Sequence, residues 1–127
     1  LGLCARVNLT GFVNDPDQLA HFYQEADIFV LPSKAEGFPR VIDEALAFSL
    51  PIVTTTLEGI QGVLTDGETA LLVPPSNPRT LAEAIARIVS DHELRRRLIG
   101  GVIELARERL TESAAAQHAR ILLNDKE

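Results

Sequence analysis

Long apolar runs are missing from this sequence. The longest are pieces such as "IFVL" and "ALLV", far below the ~20 residues a membrane-spanning helix needs. Cysteine is nearly missing. Its single occurrence, Cys4, excludes an internal disulfide and fits a reducing compartment; a small buried or terminal apolar residue is its plain reading. Positive charge is short too. The formal net charge of −6 argues against nucleic-acid binding by long-range attraction. The one basic cluster, Arg95-Arg96-Arg97, adjoins Leu94 and Leu98 in a helical pattern. It reads as a solvated face, with a patch for an anionic membrane as the alternative. Neither G-x-G-x-x-G nor G-K-[ST] occurs, which speaks against the usual glycine-rich phosphate loops. Repeats and low-complexity segments are absent as well. The opening "LGLCARVNLTGFV" carries neither a methionine nor a signal-peptide pattern. Strand-like alternation begins there at once, so it reads as the inside of a longer chain.

What is present suits one globular domain: 127 residues, 46% hydrophobic and 24% charged. Val7 to Val13 alternate as a first strand with Gly11 near its end. Asn14 or Asp15 then caps a helix that opens on Pro16, with Leu19, Phe22, Tyr23 and Ala26 on its apolar face and His21 on the solvent side. "DIFVLPS" reads as a strand buried on both sides of a parallel sheet. A helix follows from about Pro39 to Ser49, and "PIVTTT" is a second buried, β-branched strand. After it come a helical turn near Ile60 to Leu64, the Asp66-Gly67 turn and a last strand, "ALLVPP". Asn77 caps the next helix and Pro78 starts it, with Leu81, Ala84, Ile85 and Ile88 as its stripe. Ser90 and Glu93 are spaced as a capping box for another helix. Gly100-Gly101 reads as a kink or break in that helix, and "ESAAAQHARILLN" is a weaker amphipathic helix. Strands alternating with helices predict an α/β, Rossmann-like fold with a mainly parallel sheet.

The chemistry concentrates in "SKAEGFPRVIDEALAFSLPIV". Open parallel sheets bind ligands outside the carboxyl ends of their strands, and Ser33 to Arg40 falls there. Gly37 lets backbone approach a ligand, and the amides of Phe38, Arg40 and Val41 belong to a helix N-terminus that attracts oxygen-rich groups. Glu36 lies at the lip of this turn. Glu44 stands roughly one and a half turns into the helix, at about 3.6 residues per turn, where a core would take Leu or Ala. Two carboxylates so placed suit a polyol, since a carboxylate accepts two hydrogen bonds from a vicinal diol. The plainer alternative makes Glu36 an exposed loop residue and Glu44 a solvated position. Residue types and spacing leave both open.

The stretch "PSKAEGFPRVIDEALAFSLPIVTT" resembles the E-x7-E signature of retaining GT-B glycosyltransferases of family 4, the glycosyl transferases group 1. "VNLTGFVNDPDQLAHFYQEADIFVLPS" is similar to the strand–helix–strand before that signature. "DGETALLVPPSNPRTLAEAI" is similar to the family's D-G-x-T-G-L-L-V-P-P segment, and "DHELRRRLIGGVIELARERLTESAAAQHARILL" to its C-terminal helices. The blocks stand in the family's order and cover essentially the whole chain.

The resemblance implies that residues 1–127 are a partial donor-binding C-terminal domain, with C-terminal helices from about 91 to 124. It implies a nucleotide-sugar such as a UDP-, GDP- or ADP-sugar as donor, no cofactor and no metal. Glu36 would contact the sugar ring as the catalytic carboxylate, and Glu44 would bind the ribose hydroxyls. Gly37, Phe38, Pro39, Arg40 and Val41 would lie over sugar or phosphate oxygens, and Gly11 to Val13 near the base. The implied parent is a cytoplasmic hexosyltransferase, with peripheral attachment to a membrane left open, and the fragment alone is expected to be inactive.

Some positions depart from the pattern. Pro39 and Ser49 stand where glycine is usual, Ala70 replaces the glycine of T-G-L-L-V, and Gly62 sits where many members carry a glutamate. The N-terminal acceptor domain and two strands, one with an Arg and a Lys for the diphosphate, do not appear in this sequence. In the family those strands lie between "VNLTGFV" and "DIFVLP". The expectation is therefore that these two segments pair directly, or that the open edge is buried against a second copy. A non-catalytic sugar-nucleotide module and an unrelated, flavodoxin-like α/β protein are the competing readings.

Overall fold

The computed structural model describes residues 2–3, 5–34 and 39–110. Cys4 and the segment proposed as a terminal helix lie outside them. Helix α1 (Pro16–Glu25) starts as expected: Asp15 accepts from the Asp17 amide, and Pro16 takes a position where no amide is needed. Then come β1 (Phe29–Leu31), α2 (Arg40–Ala47), β2 (Ile52–Thr55), a 3-10 turn (Glu58–Ile60), β3 (Leu71–Val73), α3 (Pro78–Ser90) and α4 (His92–Arg109). The three strands are parallel in the order β1-β2-β3, with Val30 opposite Val53 and Thr54 opposite Leu72. This is the expected α/β, Rossmann-like arrangement. Among the described residues no helix is long and apolar enough to cross a membrane.

Alternation along β2 divides the core. Ile52 packs with Tyr23, Ile42 and Leu46 on one face. Val53 packs on the other with Leu71, Ala84, Ile88 and Leu98. Helix α4 serves both clusters, through Val102 on the first and Leu94 and Leu98 on the second.

Several expectations need correction. Val7 to Val13 form no strand: Leu9 is 91% and Phe12 89% exposed, and the segment pairs with neither β1 nor any other described strand. An alternating pattern becomes a strand only when a neighbour completes its hydrogen-bond ladder. For the same reason β1 is half-buried along its length, not buried on both sides, and β2 is the fully buried central strand. The helical turn after β2 falls at Glu58–Ile60, earlier than Ile60 to Leu64. The cap of α4 is Asp91, which accepts from the Leu94 amide at 3.0 Å, while the Ser90 hydroxyl donates back to the Ala86 carbonyl. A single residue thus closes α3 and opens α4. That helix also runs unbroken through Gly100-Gly101.

Helix α2 ends two residues earlier than expected. The Ser49 amide donates to Leu46 and the Leu50 amide to Ala45, a closing pair that places the intervening residue in the left-handed region. That residue is Ser49, with φ 58°, at the position where the family pattern has glycine. The left-handed conformation costs a side-chain-bearing residue roughly 1 kcal/mol. Ser49→Gly should therefore raise the urea midpoint by the equivalent of about 0.5–1 kcal/mol. An unchanged or lower midpoint would show that Ser49 is not strained.

Candidate functional site: the carboxyl edge of the sheet

Each strand of a parallel sheet hands the chain to a helix at its carboxyl end, so the N-terminus of α2 opens on that edge. Pro39 is the cap residue, buried and extended (φ −76°, ψ 128°), and no side chain caps the helix. Its carbonyl takes the Ile42 amide at 3.1 Å. The amides of Arg40 and Val41 belong to the first turn, where the helix dipole favours oxygen-rich or anionic groups. Pro39, Arg40 and Val41 thus come together as the sequence suggested. Glu36, Gly37 and Phe38 lie outside the described residues. Gly11 and Val13 stand in the irregular lead-in to α1, where Gly11 has φ 67°.

Glu44 is not the solvated residue of the plainer reading. It is only 7% exposed, and its Oε2 accepts a 2.6 Å hydrogen bond from the Tyr23 hydroxyl. Tyr23 stacks on Phe48 (centroids 5.1 Å apart, planes within 6°) and more loosely on Phe29. Burial, followed by the hydrogen bond to Glu44 and the negative charge of Glu44, pushes the phenol well above its usual 10. Tyr23 therefore remains a proton donor to the carboxylate at neutral pH. The preceding residue, Asp43, is 3% exposed and is held by Arg109 of α4, with Nε–Oδ1 2.9 Å. Two adjacent acids of α2 are each tied to a different helix.

At the carboxyl ends of all three strands, Pro32, Lys34, Thr55, Pro74, Ser76 and Leu81 line a cavity of about 140 Å³. Thr54 donates to the Leu31 carbonyl and Thr55 to that of Ser33, which fixes the start of the loop. Lys34 and Thr55 were not among the residues singled out by sequence. Tyr23 was read only as part of an apolar face. Lys34 was the discoverable one, since it lies inside "PSKAEGF".

A larger cavity, about 490 Å³, lies at the opposite edge between Asp27, Ile28, Leu50, Pro51 and Arg95. Asp27, Ile28, Leu50 and Pro51 precede β1 and β2, on the side parallel sheets do not use for ligands. Arg95 is occupied there: its guanidinium caps α3 by donating to the carbonyls of Ile88 and Val89. Arg97 donates to Gly67. The cluster is the solvated face that the sequence suggested, with Arg96 and Arg97 exposed and Arg95 half-buried, and two of its three arginines also tie loops and helix ends together.

Comparison with known proteins agrees with the fold. The family model "Glycosyl transferases group 1" matches residues 1–103. The lipopolysaccharide core biosynthesis glycosyltransferase LpsE of Rhizobium meliloti is 34% identical over 98% of this chain, which spans 34% of LpsE. The structure of HepE from Anabaena, a complex with UDP-glucose, superposes with a TM-score of 0.77 at 25% identity, over 98% of this chain and 33% of HepE. The C-terminal domain of the group 1 protein LpcC from Francisella tularensis superposes with a TM-score of 0.70 at 26% identity, over 78% of this chain and 51% of that one. The chain therefore spans about a third of each of the first two proteins, and its resemblance to GT-B enzymes extends from sequence to fold. It belongs to the glycosyl transferases group 1.

Proposed function

We propose that residues 1–127 are the donor-holding part of a GT-B glycosyltransferase that transfers a sugar with retention of configuration. The observation that carries this reading is Glu44, a carboxylate held at a buried position beside the uncapped N-terminus of α2. It is supported by the likeness to a structure that holds UDP-glucose. In this reading Glu44 accepts hydrogen bonds from the ribose diol, and Glu36 orients the sugar ring for transfer. The amides of Gly37, Phe38, Arg40 and Val41 lie over sugar and phosphate oxygens, with Pro39 shaping the turn. Gly11 to Val13 approach the base. The acceptor, and an Arg and Lys for the diphosphate, come from segments not in this sequence, so the isolated chain binds without turnover.

NMR titration of the chain with UDP-, GDP- and ADP-sugars tests this. Saturable shifts of the amides from Arg40 to Glu44 with one nucleotide are expected, and a well-dispersed spectrum that does not respond would remove the reading. Glu44→Ala should raise the Kd about tenfold or more, the equivalent of one lost charged hydrogen bond. It should also cost about 1–2 kcal/mol of stability, because the buried Tyr23 hydroxyl loses its acceptor. That is more than an exposed helical glutamate would cost. Wild-type affinity in the variant would place the ribose elsewhere.

One observation favours a non-catalytic module as the second reading. Gly62 has φ 83°, so the loop after β2 follows a path on which a glutamate would be strained. Turnover by a parent chain carrying this segment decides between the two.

A further inference from the structure

We propose that Tyr23 is a positioning residue of the donor site, holding the Glu44 carboxylate in the orientation that meets the ribose. The inference rests on the reading of Glu44 as the ribose ligand. Its first support is geometric. The O–H···O distance of 2.6 Å is in the range of a hydrogen bond to a charged acceptor, and the donor cannot wander. Tyr23 is 8% exposed, and its ring lies against Phe48 at the end of α2 and Phe29 at the start of β1. The hydroxyl is therefore placed by three elements at once, α1, β1 and α2. A glutamate alone has three rotatable side-chain bonds to order when a ligand arrives; tethered through Oε2, it has them ordered beforehand.

The second support is that a core does not in general need a buried tyrosine–carboxylate pair for its stability. Ile42, Ala45 and Leu46 around Glu44 are fully buried, and matched apolar residues at 23 and 44 would fill the same space at little cost.

Affinities of UDP, GDP and ADP, each against its 2′,3′-dideoxy counterpart, test the proposal on the wild-type chain and on Tyr23→Phe, which keeps the ring. The wild type should prefer one ribonucleotide over its dideoxy form by about tenfold or more. Tyr23→Phe should lose most of that preference while binding the dideoxy nucleotide as the wild type does. A merely structural tyrosine would weaken both nucleotides alike and leave their ratio intact, which overturns the proposal. Wild-type binding with no ribose preference, or no binding, overturns the reading of Glu44 beneath it.

A second measurement needs no variant and so decides even if Tyr23→Phe does not fold. Tyr23 is the chain's one tyrosine, and there is no tryptophan, so its labelled ring resonance is unambiguous. A saturating ribonucleotide should shift that resonance and the dideoxy form should not. Equal responses, or none, would overturn the proposal.

Discussion

Alanine at Gly101 lowers the stability of this chain by roughly 2–3 kcal/mol, whereas alanine one residue earlier raises it. Both glycines are inside α4, where alanine is normally favoured over glycine by about 1 kcal/mol. Their surroundings reverse the sign. A Cβ on Gly100 meets nothing within 4 Å. A Cβ on Gly101 would lie 2.1 Å from the Glu68 carbonyl oxygen and 3.0 Å from its carbon. Those are backbone atoms of the loop before β3, and the loop has little freedom to retreat. Arg97 donates to the Gly67 carbonyl, Asp66 accepts from the Leu72 amide, and Thr69 accepts from the Thr65 amide. Val102 next door is fully buried, so the helix cannot lift away either. Urea unfolding of Gly100→Ala and Gly101→Ala gives the comparison directly. Equal midpoints would mean that helix and loop part easily, and the close contact would lose its importance.

Removal of the Arg109 side chain is expected to cost at least as much, about 3 kcal/mol or more. Asp43 is 3% exposed, and Arg109 reaches it with Nε at 2.9 Å and a second nitrogen at 3.4 Å. Arg109→Ala leaves that carboxylate buried beside the core, which is far more costly than the pair itself is stabilising. A double variant, Asp43→Leu with Arg109→Leu, should therefore recover most of the loss. Chemical unfolding of the two single variants and the double one forms a thermodynamic cycle. Additive losses would show that the two side chains act independently. The pair also bears on the candidate site, because it anchors the first turn of α2, where Pro39, Arg40 and Val41 present their backbone.

Gly100-Gly101 illustrates what a sequence alone can mislead about. Two adjacent glycines in a helical pattern suggest a kink or break, yet the helix continues unbroken through them. The reason for the second lies more than thirty residues away in the loop it touches. Ser49 is the opposite case. Its departure from the family's glycine was visible beforehand, and the structure supplies the reason glycine is usual there, a left-handed turn at the end of α2.

The same division runs through the candidate site. The spacing of Glu36 and Glu44 and their place after a strand were legible, because strand, turn and helix N-terminus are local patterns. That Glu44 is buried against Tyr23 was not, since the two residues are 21 apart along the chain and meet only when α1 packs on α2.

Legible in the sequence were the alternation of strands and helices, the cap at Asn77, the choice of Asn14 or Asp15 for the first helix, the mainly parallel sheet and, through its motifs, the family. All but the family, which rests on the resemblance of its motifs, follow from side-chain periodicity and hydrogen bonds between residues a few positions apart. Only the tertiary structure decided that β1 is an edge, that Val7 to Val13 remain unpaired, and that Asp43 and Glu44 are bound by Arg109 and Tyr23. A strand exists only with a neighbour to complete its ladder, and a carboxylate is buried only where a distant donor meets it. Both depend on contacts that no local pattern encodes.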